Sequence, residues 1–242
     1  MKLDVLVFSA HPDDAELGVG GTVIKLVQQG KKVGLIDLTR GELGTRGSAE
    51  IRDKEAQDAG EIMGVHIREN LAFRDGFFMI DEAHKLAIIQ KIRQYQPEIV
   101  ITGAPEDRHP DHGRGSKLVR EAAFLSGLRK IETVLNGEPQ KEWRPKRLFF
   151  YIQDWSHTPD FVVDITPFVE TKKAAILAYT SQFFDPKYQA QTDEPETYIS
   201  NENFWHFQEG RWRNMGHMTG AVFGEGFISE IPLQVDTPMD LI

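Results

Sequence analysis

Residues 5–21 read VLVFSAHPDDAELGVGG, and this stretch decides the fold class because an apolar run passes directly into a polar loop. Residues 5–8 form a short run with β-branched side chains, which is typical of a strand covered on both faces. Apolar residues at helical spacing over 22–29 predict a helix after the loop, with Gly30 near its end. Strand, loop and helix in this order are the first half of a βαβ unit.

The same alternation continues through most of the chain. Further strands are predicted at 33–38, 67–71, 99–102, 148–153 and 161–163. Further helices are predicted at 48–63, 83–95, 113–128 and 169–179. This pattern predicts an α/β fold with a Rossmann-like, mostly parallel sheet flanked by helices. No shift in composition divides residues 1–242, so we expect a single domain, with the polar segment 185–203 as a surface loop that could cover a site.

The composition excludes several classes of function. Lys and Arg number 28 against 37 Asp and Glu, a net charge of −9 with no basic run, which predicts no nucleic-acid partner and no binding to an anionic membrane. The chain has no Cys, which excludes disulfides, thiolate metal sites and thiol nucleophiles. No apolar run approaches the roughly 20 residues of a membrane span, and the N-terminus lacks a signal-peptide pattern. We therefore expect a cytoplasmic protein.

The chemistry is expected at one edge of the sheet, because ligands of open parallel sheets bind outside the carboxyl ends of the strands. That rule selects the loops 9–21, 39–47 and 103–113. The first contains His-Pro-Asp-Asp at 11–14, and the third contains DRHPDH at 107–112. Each motif alone is also compatible with a polar turn that caps the following helix. Two such motifs at one edge favour a functional site.

Together the two motifs supply a set of metal ligands. His11, Asp14 and His112 would give two nitrogens and one carboxylate oxygen, and a catalytic zinc ion has three protein ligands and an open fourth position. Asp13 would remain free to accept a proton from water as a general base. His109 could bond the reacting oxygen or protonate a leaving amine. Zinc suits the set best, one ion per chain, with iron(II) or cobalt(II) as alternatives.

Arginines in or beside these loops indicate an anionic substrate. They are Arg40, Arg46, Arg52 and Arg108. The arginine side chain binds carboxylates through two parallel hydrogen bonds. Four arginines near one sheet edge of an acidic protein therefore indicate a substrate that carries carboxylates. The alternative is that they pair with acidic residues of the chain itself.

AHPDDAELGVGG at 10–21 and HPDH at 109–112 resemble the LmbE-like, or PIG-L, family of zinc-dependent sugar de-N-acetylases. The stretches DLTRGELGTRG at 37–47, EIRDKEAQDAG at 50–60 and RENLAFRDGFF at 68–78 resemble its bacillithiol-biosynthesis branch, which deacetylates N-acetylglucosaminyl malate. FLSGLRKIET at 124–133 and PDFVVDIT at 159–166 extend that similarity. Residues 221–227, AVFGEGF, depart from the family pattern, which has Lys or Tyr and Ala before Glu-Gly-Phe.

The resemblance implies a role for each matching position. The zinc ligands would be His11, Asp14 and His112, the general base Asp13, and the helper that stabilises charge or acts as acid His109. Arg52 and Arg108 would contact a small anionic N-acetylglucosaminide. The reaction would hydrolyse its acetamide to acetate and a free amino sugar, and we expect a homo-oligomer.

Two other functions are compatible with the residues. Clustered His and Asp also occur in metallo-phosphoesterases with two metal ions, although no bridging carboxylate is evident here. A non-catalytic sugar-binding module is the other alternative. Glycines 18, 20 and 21 do not form the register of a dinucleotide-binding loop, so we exclude that class.

Overall fold

A computed structural model of the chain describes residues 1–189, 192–237 and 239. Its strands are β1 (Val5–Ser9), β2 (Val33–Thr39), β3 (Ile67–Phe73), β4 (Ile99–Gly103), β5 (Val134–Leu135), β6 (Glu138–Pro139), β7 (Arg147–Tyr151), β8 (Phe161–Asp164) and β9 (Gly224–Ser229). Its helices are α1 (Asp14–Gln28), α2 (Ala49–Met63), α3 (Glu82–Tyr95), α4 (Pro110–Leu125), α5 (Val169–Leu177), α6 (Pro186–Gln189) and α7 (Glu202–His217), with a 3-10 turn at Thr166–Phe168.

A seven-stranded sheet in the order β3-β2-β1-β4-β7-β9-β8 forms the centre of the fold. Strands β3, β2, β1, β4 and β7 are parallel, and β9 pairs antiparallel with both β7 and β8. The predicted α/β fold with a mostly parallel sheet is confirmed. Strand β1 pairs with β2 on one side and β4 on the other, so the chain changes direction across the sheet at β1 and β4. The loops that follow these two strands are therefore neighbours.

Helices cover both faces of the sheet, and alternate side chains of each strand pack against opposite layers. Val5 and Val7 belong to the core shared with α1, α2, α5 and α7. Leu6 and Phe8 belong to the core shared with α3 and α4. The continuous burial of β1 follows from this double cover, as predicted from its unbroken apolar run.

Most predicted elements lie where the sequence indicated, and α2 also has its predicted ends. The Ser48 side chain accepts a hydrogen bond from the backbone nitrogen of Ile51 at 3.3 Å, and Gly64 ends the helix with a φ of 72°. Helix α4 begins at Pro110 rather than at residue 113, because Pro suits the first helical position and His109 accepts the bond of an N-cap.

The predicted start of α1 was wrong, because the helix begins at Asp14 and not at residue 22. The glycines that suggested a loop lie inside the helix, where they allow close packing. A Cβ atom on Gly18 would lie 2.2 Å from the ring of Tyr151 on β7. The polar loop after β1 therefore ends at Asp13, and Asp14 stands in the first turn of a helix.

The sequence analysis missed the β5–β6 hairpin, α7 and β9, as well as the short helix α6 and the 3-10 turn. Helix α7 buries Phe204, Gln208 and Trp212 at intervals of four residues, but polar residues and Gly210 interrupt the apolar pattern. Strand β9 has two glycines and a buried Glu225, which hide its alternation. The predicted loop 185–203 includes α6 and the first residues of α7, and its residues 190 and 191 lie outside the described part, as do 238 and 240–242 of the C-terminal tail.

A buried ion pair between Lys172 and Glu225 forms hydrogen bonds with backbone groups in the middle of α1. The Lys172 Nζ atom donates to Glu225 Oε1 at 2.5 Å and to the Leu17 carbonyl at 2.8 Å. The Glu225 oxygens accept from the backbone nitrogens of Gly21 and Thr22 at 2.9 and 2.7 Å. Leu17 and Gly21 are partners in a regular helix, so the pair connects α5 and β9 to the centre of α1 rather than to one of its ends. The divergent segment 221–227 thus places its glutamate in the core.

Among the described residues, none of the helices combines the length and the apolar character that crossing a membrane would require.

Candidate active site

All seven residues predicted for the site line one cavity of about 220 Å³ at the carboxyl ends of β1 and β4. The ring centroids of His11 and His112 are 5.5 Å apart. Asp14 lies between them, with Oδ2 3.4 Å from His11 Nδ1 and Oδ1 3.2 Å from His112 Nε2. The structure therefore brings the three predicted ligands together from two loops about a hundred residues apart in the chain.

The second nitrogen of each of these imidazoles is held by a carboxylate. His11 Nε2 is 3.0 Å from Asp75 Oδ1, and His112 Nδ1 is 2.8 Å from Asp107 Oδ2. Histidine ligands of protein metal sites characteristically bond a carboxylate through the nitrogen that does not face the ion. The sequence analysis missed Asp75, although it follows β3 at the same sheet edge and the rule that selected the other loops could have found it.

The carboxylate of Asp14 is also oriented by hydrogen bonds. Its Oδ2 atom accepts from the backbone nitrogen of His11 at 2.9 Å, and its Oδ1 atom accepts from Gln153 Nε2 at 2.6 Å. Gln153 follows β7 and was also missed, because a lone glutamine carries no signal in the sequence. These bonds fix the direction in which the carboxylate faces the two imidazoles.

The electrostatics of this group favour a cation. Burial opposes a charge on His11, but the carboxylates of Asp111, Asp14 and Asp75 outweigh it and raise the pKa of the imidazole well above its usual range. Burial likewise opposes a charge on His112, yet Asp14 and Asp107 raise its pKa to about 9. Surroundings that favour a proton on two imidazoles also favour a divalent cation between them. The residues therefore fit a metal ion bound by two nitrogens and one oxygen.

Two groups of side chains in the described residues have ligand atoms that all lie close enough together to hold an ion, and Asp14 belongs to neither of them. The ligand atoms of His11, His109 and His112 lie within 4.8 Å of one another, as do those of His11, Asp75 and Asp111. Arg114 and backbone N–H groups already bond the carboxylates of the second group. That group is thus suited to orienting His11.

Asp13 stands beside this cluster in an uncommon backbone conformation. Its φ of 107° lies in a region that residues other than glycine rarely adopt, and such strain concentrates at functional sites. Arg52 Nη2 is 3.4 Å from its carboxylate. Burial raises the pKa of Asp13 to about 7, although the charge of Arg52 opposes the shift. A carboxyl group with that pKa can accept a proton at neutral pH.

His109 differs from the other two imidazoles in its surroundings. Its ring lies 4.7 Å from that of His11 and 5.3 Å from that of His112. Its Nδ1 atom accepts from the backbone nitrogen of Asp111 at 3.2 Å, which leaves Nε2 to carry the proton of the neutral ring. Burial and the neighbouring imidazoles lower the pKa of His109 to about 4. At neutral pH this ring is an uncharged hydrogen-bond donor.

Comparison with known proteins identifies the family. The profile of the GlcNAc-PI de-N-acetylase (PIG-L) family matches residues 6–123. The diacetylchitobiose deacetylase of Thermococcus kodakarensis is 31% identical over 192 residues, which cover 74% of this chain and 70% of that protein. The chain belongs to the PIG-L, or LmbE-like, family of deacetylases. The resemblance seen in the sequence is confirmed.

Other relatives of this PIG-L family deacetylase match over most of their length. A probable N-acetyl-alpha-D-glucosaminyl L-malate deacetylase 2 of Bacillus anthracis is 27% identical over 227 residues, covering 83% of this chain and 93% of that protein. The crystal structure of the conserved protein TT1542 from Thermus thermophilus is 35% identical and superposes with a TM-score of 0.84 over 98% of each chain. Membership of a deacetylase family supports hydrolysis of an amide rather than of a phosphoester, and an enzyme rather than a sugar-binding module.

Only two of the four arginines line the cavity of the PIG-L family deacetylase. Arg52 Nη2 also donates to Gln182 Oε1 at 2.5 Å. Arg108 pairs with Asp154 at 2.8 Å and lies 4.3 Å from the ring centre of Tyr198. For each of the four arginines the sequence had left open whether the side chain binds the substrate or pairs with acidic residues of the chain.

Arg40 and Arg46 have other partners outside the cavity of the PIG-L family deacetylase. Arg40 pairs with Asp53 at 2.5 Å and with Glu50 at 3.3 Å, which are neighbours that the sequence had offered as the alternative. Arg46 is buried, with Glu194 3.9 Å away. Arg52 and Arg108 are therefore the two of these arginines that line the cavity, and each of them also contacts an acidic residue of the chain.

The rest of the cavity wall comes from parts of the PIG-L family deacetylase that the sequence analysis had not assigned to the site. Ile199 contributes from the segment predicted as a cover, and Phe204 and Gln208 contribute from α7. The polar segment 185–203 thus contributes Ile199 to the cavity wall, and its role as a cover stays a prediction. The contribution of α7 was not predicted, because the helix itself was missed.

Proposed function

We propose that this deacetylase hydrolyses the acetamide of an N-acetylglucosaminide that carries an anionic group, with N-acetylglucosaminyl malate as the candidate substrate. The observation that carries the proposal is the carboxylate of Asp14 between His11 and His112, with the carboxylate of Asp13 next to it. This arrangement provides a metal site and a separate base. The name of the Bacillus anthracis relative and the cavity arginines support the choice of substrate.

The residues have distinct tasks in the proposed reaction. His11, Asp14 and His112 would hold one divalent metal ion, zinc or alternatively iron(II) or cobalt(II), which would polarise the acetamide carbonyl and lower the pKa of water. Asp13 takes a proton from the attacking water, since a base with a pKa near the working pH is most effective. His109 donates a hydrogen bond from its Nε2–H group to the oxygen that gains negative charge, and the proton that Asp13 has taken from water passes to the departing nitrogen. The C–N bond breaks to give acetate and the amino sugar.

The arginines distinguish the proposed substrate from a plain N-acetyl sugar. The Arg108 side chain is 42% exposed, so its guanidinium can reach a carboxylate that enters from solvent. Arg52 is buried and its Nε atom has no hydrogen-bond partner among the residues that the structure describes. Each of these side chains offers a charged donor to a malyl group, which has two carboxylates.

The test is an assay for release of amine and acetate by the full chain loaded with zinc. Substrates are N-acetylglucosaminyl malate, N-acetylglucosamine and diacetylchitobiose, and metal content is measured on each preparation. We expect one metal ion per chain and the highest kcat/KM for the malyl glycoside. If the loaded protein released no amine from any of the three, the proposed function would be wrong, and a preference for an uncharged sugar would remove malate alone.

Two substitutions separate the proposed roles. His11→Ala should lose both metal and activity, and full metal occupancy in this variant would contradict the ligand assignment. Asp13→Asn should keep its metal but lose at least ~10²-fold in kcat, as expected when a general base is removed. A variant Asp13→Asn with unchanged kcat would exclude Asp13 as the base.

A further inference from the structure

Gln208 presents a buried carboxamide in the cavity wall whose polar atoms have no partner. The residue is 1% exposed and lines the cavity. Neither Oε1 nor Nε2 of Gln208 has a hydrogen-bond partner among the residues that the structure describes. A buried amide group without hydrogen bonds is costly and uncommon in folded proteins, so such a group needs an explanation.

The position of Gln208 on α7 indicates a ligand. Phe204 lies one helical turn earlier and lines the same cavity, so one stripe of α7 forms part of the wall. Trp212 and Met215 continue this stripe into the core, where apolar residues are the rule. A polar residue in the stripe lowers stability unless something outside the chain bonds it.

The chemistry of the carboxamide restricts what that ligand group can be. The side chain offers one acceptor and two donor hydrogens, all uncharged. A carboxylate would suit Nε2 but would be repelled by Oε1, and the arginines are better placed to bind it. The proposed function assigns the acetamide to the cluster of His11, Asp14 and His112. Hydroxyl groups are both donors and acceptors, and two neighbouring hydroxyls match a carboxamide.

We propose that Gln208 binds a pair of neighbouring hydroxyl groups on the pyranose ring of the substrate, while Phe204 packs beside the ring. This inference rests on the proposed function and adds the residue that recognises the sugar itself. Helix α7 is then the part of the cavity that distinguishes a sugar acetamide from a simple acetamide.

The first experiment compares Gln208→Leu with the wild type on N-acetylglucosamine and on its 3-deoxy and 4-deoxy analogues. On the intact sugar, kcat/KM should fall about 10- to 100-fold, mainly through KM, because the hydroxyls lose their partner and remain desolvated. On the deoxy analogue that lacks the bonded hydroxyl, Gln208→Leu and the wild type should differ much less. Asn214→Leu is the matched control, since it makes the same kind of change at an exposed position of α7.

A second measurement avoids turnover. Calorimetric titration of the zinc-loaded protein with glucosamine, the product, should show Kd about 10-fold higher for Gln208→Leu than for Asn214→Leu. Metal content and Tm should not fall in Gln208→Leu, because leucine removes an unpaired polar group. Unchanged KM and Kd would overturn the inference and would assign the carboxamide to bound water. An equal loss on intact and deoxy sugars would overturn it too.

The wild type provides a further test if Gln208→Leu does not fold. Removing one of the bonded hydroxyls from the substrate should then lower the wild-type kcat/KM by about 10-fold or more, and equal rates on all three sugars would reject the inference. Failure of the proposed function has a different signature, since the wild type would then release amine from no N-acetyl sugar.

Discussion

Replacing Glu225 by glutamine should destabilise the protein strongly, although the residue is outside the catalytic cluster. Glu225 and Lys172 have side-chain exposures of 1% and 0%, and their ion pair is 2.5 Å long. The substitution keeps the size of the side chain and removes its negative charge. The ammonium of Lys172 is then left buried without a counter-charge in the middle of the fold.

The structure allows an estimate of the loss. Breaking a buried ion pair by removing one partner costs about 3–5 kcal/mol. The new Nε2 atom must also face a donor, either Lys172 Nζ or one of the backbone N–H groups of α1, and an unsatisfied buried group costs about 1–3 kcal/mol. Because contributions from neighbouring groups are not additive, we expect a decrease of about 4 kcal/mol in the free energy of unfolding.

Urea unfolding measured by tryptophan fluorescence and by circular dichroism tests this value. With a urea m-value of about 2–3 kcal/mol/M, the midpoint should fall by roughly 1.5 M. Asp58→Asn is the matched control, because Lys54 and Asp58 form a 2.6 Å pair with exposures of 76% and 47%. An exposed pair of this kind contributes about 0.5 kcal/mol or less. Burial is then the main difference between the two experiments.

The double variant Lys172→Met with Glu225→Gln completes the test. Removing both charges should raise the free energy of unfolding by about 2 kcal/mol relative to Glu225→Gln alone, since no unpaired ion remains. Equal midpoints for Glu225→Gln and Asp58→Asn would refute the reasoning, and so would a double variant less stable than either single one.

Individual contacts give three further predictions. Asp107→Asn should weaken zinc binding about 10- to 100-fold in competition with a chromophoric chelator, because it weakens the carboxylate partner of His112; unchanged affinity would contradict that role. Arg108→Ala should raise KM more for the malyl glycoside than for N-acetylglucosamine, and an equal effect on both would remove Arg108 from anion recognition. Burial raises the pKa of Asp37 from 3.8 to about 6, so the folded state binds this proton more tightly than the unfolded state. The free energy of unfolding should therefore fall by about 2 kcal/mol more between pH 4 and pH 6 in the wild type than in Asp37→Asn; parallel pH profiles would exclude this contribution.

The sequence predicted the parts of the molecule that depend on residues close together in the chain, namely the strands of the sheet and the two polar motifs. Four apolar runs alternating with helices indicated the sheet, and the rule for its carboxyl edge placed both motifs at one site. His11, Asp14 and His112 could be chosen because each lies in a dense cluster of ligand-type residues.

The residues that the sequence did not reveal act through contacts that are distant along the chain. Gln153 bonds a carboxylate 139 residues away and Asp75 bonds an imidazole 64 residues away. Gly18 was assigned to a loop because the residue whose ring leaves no room for a side chain there, Tyr151, is also distant along the chain. For Arg40 the sequence left both substrate binding and pairing with a nearby acid open, and the structure pairs it with Asp53. Such cases depend on packing and charge pairing that local composition does not encode.

The histidines and acids proposed for metal binding and catalysis all come from the first half of the chain, whereas Phe204 and Gln208 of the cavity wall come from a helix near its other end. Mutations in α7 can therefore change the shape of the cavity for a different substrate and leave the histidines and acids of the proposed metal site unchanged. The cavity wall from α7 and the cluster of histidines and acids lie in separate parts of the sequence. Substitutions can therefore accumulate in α7 during evolution while the cluster stays unchanged.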